Sequence, residues 1–266
     1  MTVIWQSFRL LTFAVAALAL LVPAWAQQTG VATPSQCDVP AYLLNSDSTL
    51  SNVTAAVKSR QRLNILVVGT RSSSLPGPDG EMSAYPARLK AALGERLAGV
   101  TVEISTDVQP RRTAEETGAG LEKLVLERKP DLVIWQTGTV DAIRSIDPDE
   151  FRAALDDGIA TVKKAGIDVM LVNLQYSPRT DTVMTVTPYI DSMRIVAQKM
   201  DAPLFDRFSI MRDWQESGDF DLFGAQQGSD HGLGLAKRVH DCLGRAMSAF
   251  VIDAAHVNPA ELRIQR

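Results

Sequence analysis

The 266 residues carry 27 basic and 31 acidic side chains, a formal net charge of −4. That length suits one large α/β domain with a sizeable core. The mild acidic excess, with basic residues scattered apart from Arg111-Arg112, argues against a nucleic-acid partner.

Residues 1–26 read as a secretory signal peptide. Arg9 precedes an apolar run from Leu10 to Val22, and Pro23-Ala24-Trp25-Ala26 supplies an A-x-A cleavage pattern before Gln27. The run falls short of the roughly 20 residues that span a bilayer, and an uncleaved anchor is the alternative. Cleavage after Ala26 removes a single charged residue, Arg9, and places the mature chain in the periplasm or outside the cell, with no membrane partner. Cys37 and Cys242 then sit where disulfides persist; the expectation is a bridge, and the alternative is two buried free thiols.

Residues 27–62 form an N-terminal extension, Gly/Thr/Pro/Ser-rich at first, with a short helical stretch from Leu50 to Val57. From Leu63 the pattern is regular. Leu63 to Val68 reads as a buried strand ending at Gly69, Ala84 to Leu97 as a helix, Val100 to Ser105 as a second strand and Ala114 to Arg128 as a second helix. Pro130 breaks that helix, Asp131 to Gln136 is a third strand, and a helix from Pro148 to Ala165 stops at Gly166. A fourth strand, Asp168 to Val172, is followed by a helix from Pro188 to Met200, a short strand at Pro203-Leu204-Phe205 and a long helix from Leu235 to Val251. The domain thus covers residues 63–252, and residues 253–266 read as a loose tail. Such alternation predicts a parallel sheet covered on both faces, with its ligand cleft beyond the carboxyl ends of the strands.

Four stretches carry a resemblance: Val67-Val68-Gly69 with the serines after it, Ser83 to Leu89, Asp131 to Thr139, and Leu204 to Arg212. Over about residues 63–247 the chain resembles exported bacterial SGNH/GDSL hydrolases. The resemblance implies a three-layer α/β/α sandwich, flavodoxin-like, with about five parallel strands. It also implies four motif blocks: a Ser nucleophile two residues after the first strand's Gly, an oxyanion Gly in the second loop, the Asn of Gly-x-Asn, and an Asp-x-x-His pair before the last helix. The chemistry needs all four, because a Ser hydroxyl attacks only once a His takes its proton, and the developing oxyanion needs donors.

Each block is substituted. Arg71 stands at the nucleophile position, Ser105-Thr106-Asp107-Val108-Gln109-Pro110 offers no oxyanion Gly, and Val140 replaces the Asn after Gly138. With the Cys242-Leu243 pair as anchor, His231 falls at the Asp position and Gly234 at the His position. The leading expectation is therefore a pseudoenzyme that binds a ligand or partner in a cleft lined by Gly69, Arg71, Ser72, Asp107, Gly138, Val140, Gln175, His231 and Gly234. The alternative is a working carbohydrate or lipid acyl esterase with a rearranged set drawn from Ser72, Ser73, Asp230 and His231.

Arg71, with Arg111 and Arg112 close by, suggests an anionic small molecule or glycan, unless Arg71 merely pairs with Asp107 or Asp141. Asp141 is also placed to pair with Arg144. Ser72-Ser73-Ser74 lacks a phosphate-loop pattern, Trp135 reads as core rather than a stacking platform, His240 as packing or surface, and His256 as solvated. No metal ligand set and no cofactor is expected.

Overall fold

The computed structural model describes Thr2 and residues 37–223 and 229–264. The expected signal peptide of residues 1–26, apart from Thr2, and residues 27–36 of the extension lie outside the described residues. Five strands form one parallel sheet: β1 (Arg62–Gly69), β2 (Thr101–Val108), β3 (Leu132–Gln136), β4 (Asp168–Val172) and β5 (Leu204–Phe205). Their order is β2-β1-β3-β4-β5. The α/β/α sandwich expected from the sequence is thus present, and the order reverses direction between β1 and β3. In folds of this kind ligands bind at such a switch point, beyond the carboxyl ends of these two strands.

The helices run α1 (Ser51–Ala55), α2 (Gly80–Ser83), α3 (Tyr85–Arg96), α4 (Ala114–Arg128), α5 (Thr139–Ile143), α6 (Pro148–Lys164), α7 (Pro178–Asp181), α8 (Thr187–Lys199), α9 (Arg207–Ser217), α10 (Asp230–Ala254) and α11 (Pro259–Ile264). Successive strand residues face opposite ways, so each strand feeds two cores. Leu63, Ile65, Val67, Leu132, Ile134, Met170 and Val172 pack beneath α3 and α10, while Leu66, Val68, Val133, Trp135, Val169 and Leu171 pack beneath α4, α6 and α8. Trp135 is fully buried, as core.

Local signals place the helix starts. Thr113 and Glu116 close a capping box on α4, Asp147 caps α6, and Asp206 caps α9. Asp168, at the start of β4, accepts hydrogen bonds from the backbone N–H of Asn52 (2.8 Å) and Val53 (3.0 Å), and so fixes α1 against the sheet. Three readings of the sequence need correction. The last helix starts five residues earlier than Leu235 and ends at Ala254, α9 was not anticipated, and the tail is not loose. Ala254, Ala255 and Val257 belong to the core, and the Ala254 carbonyl accepts a hydrogen bond from the Leu50 N–H at 2.9 Å. The expected disulfide joins Cys37 to Cys242, with Cα atoms 5.1 Å apart.

Candidate functional site at the carboxyl ends of the strands

Parallel pairing sets Val68 beside both Asp107 and Trp135, so β1 and β3 end side by side. The loop leaving β1 is thereby delivered onto Gln136. The Gln136 Oε1 accepts three hydrogen bonds from that loop: from Thr70 N (3.0 Å), Thr70 Oγ1 (3.1 Å) and Ser73 Oγ (3.0 Å). Gly69 makes this approach possible, since a Cβ there would overlap the Ser73 hydroxyl and crowd the Gln136 oxygen.

Ser73 is buried, and its one proton is committed to the Gln136 amide oxygen. The Tyr85 hydroxyl must then donate to Ser73 Oγ, at 2.9 Å. Burial pushes the Tyr85 phenol above its ordinary pKa, against the opposing effects of Ser73 and the Arg207 charge, so it stays protonated. Among the described residues no base faces Ser73.

Arg207 comes from β5 and α9. The Asp206 carboxylate accepts from Ser209 N (3.0 Å), Asn173 Nδ2 (2.7 Å) and Arg194 Nη2 (2.9 Å), while Asn173 Oδ1 accepts from Phe208 N (2.9 Å). That clamp fixes the first residue of α9 and drives its side chain inward. Only 1% of Arg207 is exposed. Nη1 donates to Ser72 Oγ (3.2 Å), and Nη2 to the Ser72 carbonyl (3.3 Å) and Gln175 Oε1 (2.8 Å), with the guanidinium 5.9 Å from the Tyr85 ring centre. Burial pulls its pKa down to about 10, which leaves it a cation at neutral pH. A cation beside Ser72 favours an ionised hydroxyl, yet no described group is placed to take that proton.

His240 lies on α10, buried. Its Nδ1 accepts a hydrogen bond from the Tyr85 N–H at 2.9 Å, satisfying an amide at the first turn of α3. Burial, with the Arg207 charge second, lowers its pKa to about 3. The ring is therefore neutral, with its acceptor nitrogen occupied by backbone.

Asp230 and His231 open α10, both exposed, beneath the Ser229 cap that accepts from the Gly232 N–H. No hydrogen bond links either residue to Ser72 or Ser73 among the described residues. Consecutive helical positions point about 100° apart, so the two side chains diverge. Gly234, one turn on, has open space around it. Arg71 is exposed and forms no ion pair with Asp107 or Asp141; Asp107 accepts from Gln109 Nε2 instead, at 3.1 Å. Asp141 is buried and caps α4 through the Ala114 N–H (2.8 Å), with burial raising its pKa against these backbone bonds. It does not pair with Arg144, which instead reaches Glu116 (3.2 Å) and the Arg111 carbonyl (2.7 Å). Arg111 itself takes the left-handed φ of 66° in the second loop, where glycine would be favoured. Gly138 has a φ of 93°, and a Cβ there would overlap Leu174; Val140 follows it half-buried.

The structure thus unites Gly69, Ser72, Ser73 and Gln175 with Tyr85, Gln136 and Arg207, to which the sequence assigns no role, and with His240, read from the sequence as a packing or surface residue and buried here. Tyr85, Gln136 and Arg207 lay in plain view within the stretches Ser83–Leu89, Asp131–Thr139 and Leu204–Arg212. A charge directly after a buried strand, as in Phe205-Asp206-Arg207, was the available signal.

Among curated proteins none matches the sequence. Solved structures share the fold. One is TesA, at 21% identity and a TM-score of 0.56, covering 70% of this chain and 99% of that one. Another is LAE5, an alpha/beta hydrolase enzyme from the metagenome of Lake Arreo, Spain, at 19% identity and a TM-score of 0.57, covering 72% of this chain and 96% of that one. A third is a catalytic mutant of Axe2, an acetylxylan esterase from Geobacillus stearothermophilus, at 18% identity and a TM-score of 0.58, covering 71% and 94%. A family model described as the non-GDSL lipase-like family matches residues 36–257. With the sheet order and this match together, the chain belongs to the non-GDSL lipase-like family of the SGNH/GDSL hydrolases.

Proposed function

We propose that this protein is an exported, catalytically silent member of its family that binds a ligand or partner in the cleft where its relatives hydrolyse esters. The observation that carries the reading is the fate of Ser73. Its proton goes to an amide oxygen, its own oxygen accepts from Tyr85, and the buried His240 has spent its acceptor on a backbone amide. Losing a triad nucleophile or base costs on the order of 10⁶ in turnover in a serine protease, so several losses leave little above background.

Exposed apolar residues on the connections after the strands support a binding role. Met82, Ile143, Val183 and Phe223 are large, exposed and apolar, and the first three stand on connections leaving β1, β3 and β4 at their carboxyl ends. Phe223 lies against Arg179 of α7, whose guanidinium is 5.7 Å from its ring centre. Apolar side chains left exposed on the connections that follow the strands suit a contact role. Export is supported by the A-x-A pattern before Gln27 and by the Cys37–Cys242 bridge, a bond that persists in oxidising compartments.

Hydrolysis of p-nitrophenyl acetate tests the reading. Wild type and Ser72→Ala should both match the buffer rate. Turnover well above buffer that vanishes in Ser72→Ala or His231→Ala would establish the rearranged esterase instead. Amino-terminal sequencing of the protein from a periplasmic fraction should begin at Gln27.

A further inference from the structure

Arg207 is a buried cation without a counter-charge among the described residues. Every oxygen it touches is neutral: the Ser72 hydroxyl, the Ser72 carbonyl and the Gln175 amide. Its sequence neighbour Asp206 is occupied by Asn173, Ser209 and Arg194. No other described carboxylate pairs with it, and the undescribed stretch 224–228 reads Gly-Ala-Gln-Gln-Gly, with no acid. A buried ion is costly unless it is paired, and neutral acceptors offset only part of that cost.

The guanidinium also has an unused donor. Its Nε–H is buried with no acceptor. Nε and Nη2 form one edge of the fork, the edge that takes two oxygens of a carboxylate or phosphate at once. Gln175 Oε1 engages that edge at Nη2 only, and Gln175 is exposed on the loop after β4. A second buried donor without a partner, Nε2 of Gln136, belongs to the adjoining Ser73–Tyr85 cluster.

We propose that Arg207 anchors an oxyanion subsite, in which a ligand carboxylate or phosphate displaces the Gln175 amide and takes Nε and Nη2 together. The inference rests on the binding role above and moves its charge recognition from Arg71, which is exposed, to Arg207, which is preorganised and desolvated. The Gln175 side chain is the door: it holds the edge with a neutral oxygen until a better acceptor arrives.

The test uses calorimetric titration of the mature protein with sodium acetate, inorganic phosphate and, as a neutral control, glycerol. Wild type should bind acetate or phosphate and not glycerol, and the preferred anion separates a carboxylate ligand from a phosphate one. Gln175→Glu, which sets an internal carboxylate on the guanidinium, should raise Tm and weaken anion binding at least about tenfold. Gln175→Ala should bind the anion at least as tightly as wild type, and Arg71→Ala should bind it unchanged. Both Gln175 variants alter an exposed side chain and do not depend on Arg207→Ala folding. Absent anion binding in wild type, undiminished binding in Gln175→Glu, or loss of binding in Arg71→Ala alone would overturn the subsite. Turnover of p-nitrophenyl acetate by the same sample would sink the silent-enzyme reading and leave the subsite standing.

Discussion

At the scale of single residues, a few committed protons decide the chemistry. His240 shows this most simply, because its folded-state pKa of about 3 lies below the unfolded value near 6.5. The unfolded chain therefore binds a proton that the folded chain refuses throughout that window. The stabilising contribution is complete above about pH 6.5 and declines as pH falls towards 3, by about 1.4 kcal/mol per pH unit. His240→Asn keeps an acceptor within reach of the Tyr85 N–H and cannot titrate. Urea denaturation of the two proteins between pH 7 and 4 should show a shallower loss in the variant; parallel curves would mean His240 is not the neutral, desolvated ring described. The same residue also shows what the sequence could and could not disclose. That His240 sits in a helix was readable from spacing, but its partner is 155 positions away, at Tyr85. Likewise Arg71 occupies the nucleophile's sequence position, while the buried cation beside Ser72 is Arg207, brought there by a clamp on Asn173 and Asp206 that no local pattern announces.

At the scale of elements, most of the frame was legible because strand and helix periods differ. Continuous apolar runs at Leu63–Val68 and Asp168–Val172 became the strands, and Gly or Pro marked the boundaries of α6 and the start of β3. Helix α9 escaped because its start depends on Asp206 being held by Asn173 and Arg194, contacts that come from other elements. Packing makes contrasting demands on glycines inside helices. A Cβ at Gly158 on α6 would overlap the Trp135 ring of β3, whereas one at Gly94 on α3 meets nothing within 4 Å. Alanine in a helix gains up to about 1 kcal/mol over glycine, and overpacking a rigid core costs about 1–3 kcal/mol. Gly94→Ala should therefore stabilise by about 0.5–1 kcal/mol and Gly158→Ala should destabilise by about 1–2 kcal/mol in urea titrations. Equal effects of the two would contradict the close contact of α6 on the sheet.

At the scale of the whole molecule, residues 37–62 of the amino-terminal extension and the carboxyl-terminal segment belong to one structure. The Trp214 indole donates to the Asp38 carbonyl at 2.8 Å, and the Cys37–Cys242 bridge closes a separation of 205 residues. Removing such a bridge costs about 2–5 kcal/mol, so Cys37→Ala/Cys242→Ala should lower the urea midpoint and steepen the slope, because the unlinked denatured chain is more expanded. An unchanged midpoint would place the amino-terminal segment outside the cooperative unit. The fold, then, is that of the SGNH/GDSL hydrolases, and the proposed reading is that the residues meeting where the strand order reverses hold charge and hydroxyls still. Intact-mass analysis after treatment with a fluorophosphonate probe tests this most directly, since the reagent labels a serine only when a base removes its proton. The account predicts no mass increase in the native protein, with Ser72 and Ser73 both unmodified; a single stoichiometric adduct at Ser72 or Ser73, lost in His231→Ala, would contradict it.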